Sequence, residues 1–230
     1  MPNRRFVRTA ALVVSLAGTL AVVPAAAAVT VTVRVQGPRK TMLPTRKVVL
    51  PSGSITRGGA PAGACSAASA QGALAVATHG NWQGSWYSSY SEYFITEILG
   101  LPENGKKYYW GLYVDNRFAT SGACQEKLTR GASVVFAAVP AKGATEKLLG
   151  VNAAPARAGR PYRLRVVAYS AVGKAFPVAG ATVKLDGQSV TTTRHGWTSK
   201  VTFRAAGVQT VTVSKRHYVG TETTVQVARA

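Results

Sequence analysis

With 230 residues and 28 lysines and arginines against eight aspartates and glutamates, the chain is long enough for two modest domains and carries a formal net charge of +20. That balance excludes a preference for cationic partners and points to polyanions, bound in a salt-dependent way. Two cysteines and three scattered histidines, His79, His195 and His217, fall short of a four-ligand site, so no metal is expected.

In chain order, Arg4, Arg5 and Arg8 precede an apolar run from Thr9 to Val23, and Pro24 and the alanines that follow supply small residues before a cut after Ala28. Residues 1–28 therefore read as a secretory signal peptide, and the apolar run is too short to span a hydrocarbon core of about 30 Å. A secreted protein without a transmembrane segment is expected. Removing the three leader arginines leaves 25 basic residues against eight acidic ones, a formal +17. Wall teichoic acids, anionic headgroups or nucleic acid bound without specificity are partners of the right sign. No unbroken basic block is present, so a generally cationic surface stands beside a dedicated anion site.

The first domain is placed at residues 29–139. Val31, Val33 and Val35 alternate with Thr32 and Arg34, the pattern of a strand with one buried face, and Lys47 to Leu50 is read as its hairpin partner. Gly58 to Gly63 breaks the chain. In the segment that follows, Ser66 is read as the helix cap, Ala70, Ala73, Leu74 and Ala77 share one face, and Gly80 supplies the stop. Strands follow at Tyr93–Leu99 and at Tyr108 onward, where Asp115-Asn116 has the chemistry of a hairpin turn. Leu128 to Gly131 turns again before a strand at Ser133–Val139. A β-hairpin, one helix, then Tyr93–Leu99, the Tyr108 hairpin and Ser133–Val139 are read as the ββαββ order of a β-grasp.

Cys65 and Cys124 are the only thiols, an even pair for an oxidising compartment, and are read as one disulfide; two buried free cysteines are the alternative. The motifs Cys65, Gly72-Ala73-Leu74, Gly80-Asn81-Trp82, Ile98-Leu99-Gly100, Tyr109-Trp110, Val114-Asp115-Asn116, Gly122-Ala123-Cys124 and Leu128 to Gly131 give this half its character. In them it resembles the secreted bacterial domains of the transcobalamin C-terminal-like type. The resemblance implies a β-grasp and places a cysteine at the head of the helix; Ala132 departs from it, standing where the family often has Asp.

Pro140, Gly143, Gly150, Pro155, Gly159 and Pro161 punctuate the next stretch, and residues 140–146 are taken as a linker. Residues 147–230 read as a second, all-β domain. Tyr162, Leu164, Val166 and Ala168 alternate with Arg163, Arg165 and Tyr169, Asp186-Gly187 is a strong two-residue hairpin signal, and His195-Gly196 marks a further turn. The spacing fits a sandwich, and the segment from Pro177 to Val213 resembles the immunoglobulin-like and carboxypeptidase-regulatory-like modules. The expected fold class is mainly β, α+β and then all-β: a β-grasp domain with one helix followed by an immunoglobulin-like β-sandwich.

Chemistry is hard to find. No GxSxG, SxxK, HExxH or phosphate-cradling loop is present, and no two of the eight carboxylates make a convincing acid and base. No catalytic residue and no cofactor are expected. What remains is aromatic: Trp82, Trp86, Tyr87, Tyr90, Tyr93 and Phe94 crowd a short stretch interleaved with Gly84 and four serines. Flat rings with neighbouring hydroxyls stack on sugars, corrins or proteins, whereas the ordinary reading is core. Trp82, Trp86, Tyr87, Tyr90 and Trp110 are the candidate ligand-binding residues. The functional expectation is a non-enzymatic binding module of the cell envelope that recognises a wall polyanion or carbohydrate, or a surface protein. Its alternative, implied by the resemblance, is a carrier of a cobalamin-like or other small molecule.

Overall fold

The computed structural model describes residues 28–142 and 146–230. The leader lies outside the described residues except for Ala28, as do 143–145 of the expected linker.

The first strand, β1 (Thr30–Gln36), pairs antiparallel with β2 (Thr41–Val49) through the turn at Gly37 to Lys40. The expected partner at Lys47 to Leu50 is the far end of this longer strand, which two irregularities in the pairing bend around the core. The helix α1 spans Ala70–Ala77, and Ala70, Ala73, Leu74 and Ala77 are all buried, as their spacing requires. Its cap is Ser69, whose Oγ accepts from the Gly72 N–H at 3.4 Å; Ser66, the expected cap, accepts from the Ala68 N–H instead and closes the preceding turn. At the other end the Thr78 hydroxyl donates to the Leu74 carbonyl, and His79 and Gly80 turn the chain away with positive φ.

Next come β3 (Trp82–Tyr87), β4 (Glu92–Ile98) and β5 (Leu101–Pro102), then β6 (Tyr108–Val114), β7 (Arg117–Phe118) and β8 (Ser133–Pro140). Asp115 and Asn116 both take positive φ, 50° and 64°, so their turn matches the twist of the β6–β7 hairpin. The main sheet has the order β2-β1-β8-β6-β7, with β8 parallel to β1 and antiparallel to β6. The first and last strands of this half, β1 and β8, thus lie side by side in the middle of the sheet. The strand expected at Tyr93–Leu99 is not part of it. As β4 it pairs with β3 and β5 in a separate three-stranded sheet, because the connection from α1 folds back on itself before reaching β6.

The second half comprises β9 (Leu148–Asn152), β10 (Ala156–Arg157), β11 (Pro161–Tyr162), β12 (Arg165–Tyr169), β13 (Ala175–Pro177), β14 (Thr182–Leu185), β15 (Gln188–Thr191), β16 (Val201–Thr202), β17 (Gly207–Ser214) and β18 (Thr221–Ala228). A five-stranded sheet, β10-β18-β17-β14-β15, encloses with the sheet β13-β12-β9 a core of Leu164, Val166, Val183, Phe203, Val211 and Val225. Asp186 and Gly187 turn the β14–β15 hairpin with φ of 46° and 72°. Gly196 has no substitute: a Cβ there would sit 2.3 Å from the Val166 carbonyl oxygen. The chain is thus mainly β, an α+β half followed by an all-β sandwich.

One face of the main sheet packs on α1 through Val31, Val33, Val35, Leu112, Val134 and Phe136. Its other face is covered too. Tyr113, Val135, Ala137 and Val139 meet Leu148 and Val219 of the second half, so β8 is buried on both sides, in keeping with its unbroken apolar run. The expectation of one buried face for β1 fails for the same reason: Arg34 and Gln36 lie under the second half. Arg34 Nη1 donates to Thr221 Oγ1 at 2.6 Å, the Thr41 hydroxyl donates to Gln36 Oε1 at 2.8 Å, and the Gln36 amide donates to the Gly37 carbonyl at 3.1 Å. Burial lowers the Arg34 pKa to about 10, against the opposing pull of Glu222.

A buried charge is costly when a partner is removed and cheap to replace outright. Thr221→Val is therefore expected to cost about 2 kcal/mol, since it leaves the buried, charged Arg34 Nη1 with only its long 3.5 Å bond to Gln36 Oε1. Arg34→Met is expected to cost less than that. Urea denaturation compares the two, and an Arg34→Met variant less stable than Thr221→Val would overturn this account of the interface.

Candidate functional site

The aromatic stretch is a hairpin, not a loop. In β3, Trp82 and Trp86 point toward the core, and Gln83, Ser85 and Tyr87 are exposed. The pairing shifts between Gln83 and Gly84, where Thr96 of β4 is the extra residue, so the alternation within β3 is kept. Gly84 is required at that crossing, because a Cβ would lie 2.8 Å from the Phe94 carbonyl oxygen and 3.2 Å from the Trp82 ring.

The inner face of the hairpin is a stack of rings. Trp82 and Trp86 both meet Tyr93 edge to face, with centroids 5.1 Å apart in each case. Arg57 covers Trp82 from outside, its guanidinium carbon 5.2 Å from the ring centroid, and the Tyr93 hydroxyl donates to the Arg57 carbonyl at 2.5 Å. Trp82 is only 1 % exposed. It belongs to the core, which corrects its assignment as a ligand-binding residue. Trp86 is half-buried against the same core, with its indole N–H unpartnered.

The outer face is open. Tyr87, Tyr90 and Phe94 are 49 %, 72 % and 50 % exposed, and with Glu92 and Tyr93 they line a shallow apolar hollow of about 350 Å³. Tyr87 and Phe94 meet edge to face at 6.3 Å across the strand pair. Of the residues singled out from sequence, Tyr87 and Tyr90 are at this hollow. Trp110 is not: it lies on β6, edge to face with Tyr108, and lines a neighbouring cleft between β4 and β6 that shares Tyr93 and Phe94 with the hollow. Glu92, Tyr93 and Phe94 complete the hollow and are not among those candidate residues. Tyr93 and Phe94 are adjacent aromatics, and only the β4 pairing decides which one faces out.

The hairpin tip is tied down by the segment carrying the disulfide. Cys65 and Cys124 are bonded, with Cα atoms 4.9 Å apart. Glu92 Oε2 accepts from the Cys124 N–H at 2.8 Å while Oε1 accepts from the Tyr93 N–H at 2.7 Å, and the Gln125 amide donates to the Tyr90 carbonyl at 2.9 Å. Burial raises the Glu92 pKa, and the backbone N–H groups of Tyr93, Cys124 and Gln125 oppose the rise. The same segment accepts hydrogen bonds from the first turn of α1, Ala70 N–H to the Glu126 carbonyl and Gln71 N–H to the Ala123 carbonyl. Helix, disulfide and hairpin thus form one framed unit. Three rings held on such a frame can stack on a flat or ring-shaped ligand at little entropic cost. The one carboxylate lining the hollow, Glu92, is engaged in backbone hydrogen bonds.

Among the described residues, no helix is long and apolar enough to cross a membrane. No curated protein matches the chain. The family described as a domain of unknown function, DUF4430, matches residues 75–139, the stretch that runs from the end of α1 through the aromatic hairpin to β8.

Proposed function

We propose that the chain is a secreted, non-catalytic binding module of the bacterial cell envelope or extracellular space, and that it holds a wall polymer or a surface protein against the outer face of the β3–β4 hairpin. The observation that carries this reading is the exposure of Tyr87, Tyr90 and Phe94 on a hairpin framed by the Cys65–Cys124 disulfide. Exposed rings on a rigid support are a recognition surface, because burying them against a partner gains apolar area without ordering a loop. Export is supported by the basic and apolar leader and by the disulfide. The transcobalamin-like resemblance and the match to DUF4430 support the scaffold and leave the ligand open. The large positive charge adds attraction for anionic wall polymers, which salt screens within about 8 Å.

Tyr87→Ala with Phe94→Ala is expected to leave stability within about 0.5 kcal/mol per site, as for other exposed side chains. Retention of that variant on purified cell-wall sacculi should nevertheless fall, and the part that survives should disappear at high salt. A variant as stable as the parent that is retained equally well at low and high salt would overturn the proposal.

A further inference from the structure

We infer that the cleft between the two halves is a second binding site, one that takes a single anionic amphiphile, a molecule with an apolar body and one acidic group. The cleft has a volume of about 570 Å³, within the range of small-molecule sites. Its walls come from both halves: the β1–β2 turn with Arg39 and Lys40, Lys107 and Tyr108 before and at the start of β6, and Tyr218 just ahead of β18. Met42, Leu101, Ala138 and Pro140 make the floor apolar.

Charge and shape together select the ligand. Arg39, Lys40 and Lys107 are exposed, none of their side chains is held by a hydrogen bond or an ion pair, and no carboxylate lines the cleft. Glu103, whose charge acts on the Tyr108 hydroxyl, is outside the lining. Lys147 and Lys215 lie over the Tyr218 ring, 5.7 Å and 5.6 Å from its centroid, and add positive potential behind that wall. An acid is drawn to the rim, and the apolar floor favours a body that prefers not to be solvated. A long polyanion would need a track of cations along an open groove; this is a concavity the size of one molecule.

The cleft is also built to keep its shape. The Tyr108 hydroxyl donates to the Pro102 carbonyl at 2.7 Å, and the Gly37 N–H donates to the Lys40 carbonyl at 2.9 Å across the turn. Gly37 is in turn gripped by the Gln36 amide, in the same buried network that joins Arg34 to Thr221, next to Gly220 of the cleft wall. The contact between the halves thus holds both walls, and the second half is more than a spacer.

The test uses the whole chain without its leader and two fluorescent probes, anilinonaphthalene sulfonate and its uncharged analogue phenylnaphthylamine. The sulfonate should bind one per chain, and the uncharged analogue about tenfold or more weaker, corresponding to about 1.4 kcal/mol. Lys40→Gln with Lys107→Gln, both exposed side chains, should leave the melting curve unchanged and weaken the sulfonate by a similar factor. Tyr87→Ala with Phe94→Ala on the hairpin should leave that site unaffected. Sulfonate binding that survives the lysine substitutions, that is lost with the hairpin rings, or that the uncharged probe matches would each overturn the inference. None of these outcomes depends on wall retention, so the two sites are tested apart.

Discussion

Trp82→Ala is expected to destabilise the protein by about 3–5 kcal/mol, the cost of emptying a fully buried ring site that cannot collapse. Trp82 belongs to the same core cluster as the buried face of α1, and it meets the Tyr93 ring and the Arg57 guanidinium. Removing it leaves Tyr93 and Arg57 without their packing surface, so the hairpin should loosen along with the core. Urea denaturation reads the loss, and amide exchange over β3 and β4 reads the loosening. A cost below about 1 kcal/mol would mean the ring is a dispensable lid, since only surface substitutions are that cheap. The contrast with Tyr87, five residues further along the same strand and on its opposite face, is the sharpest available: one ring holds the frame and the other is presented by it.

Loss of the disulfide is the second large effect. Cys65 and Cys124 close a loop with a sequence separation of 59, which on the chain-entropy model stabilises the fold by about 4 kcal/mol. For a protein of this size that corresponds to a drop in melting temperature of about 8–16 °C in the Cys65→Ser, Cys124→Ser variant. The effect should reach function as well, because the Cys124 N–H holds Glu92 and the neighbouring Gln125 holds the tip at Tyr90. Calorimetry with and without reductant gives the first number, and wall retention at a temperature where the variant is still folded gives the second. A melting temperature within about 2 °C of the parent would show that the hydrogen bonds alone keep the segment in place, well short of the entropic expectation.

The two halves of the molecule were legible to different degrees. Turn chemistry was read correctly wherever backbone conformation is a local matter: Asp115-Asn116, Asp186-Gly187 and His195-Gly196 all turn where their residue types say they should. The stripe Ala70, Ala73, Leu74 and Ala77 located the helix, and the cap moved from Ser66 to Ser69 because the intervening residues close a turn of their own. For the site, the aromatic crowding drew attention to the right segment, yet it could not rank the rings. Trp82 faces in and Phe94 faces out because of the β3–β4 register and its bulge, which no alternation in the adjacent pair Tyr93-Phe94 announces.

What the sequence by itself determined is therefore what short-range physics decides: the apolar period that makes β1 and α1, the residues that tolerate positive φ at the turns, the two cysteines, and the excess of positive charge. The assignment of β4 to its own sheet, the burial of Arg34 under the second half and the cationic cleft at Lys40, Lys107 and Tyr218 were decided by tertiary structure alone. Each of these depends on which face of one element meets another more than a hundred residues away, or on a strand pairing with one edge and not another. A pattern of period two specifies that a face is apolar. It does not specify what covers the opposite one, because Thr32, Arg34 and Gln36 look the same in sequence whether they meet water or a second domain.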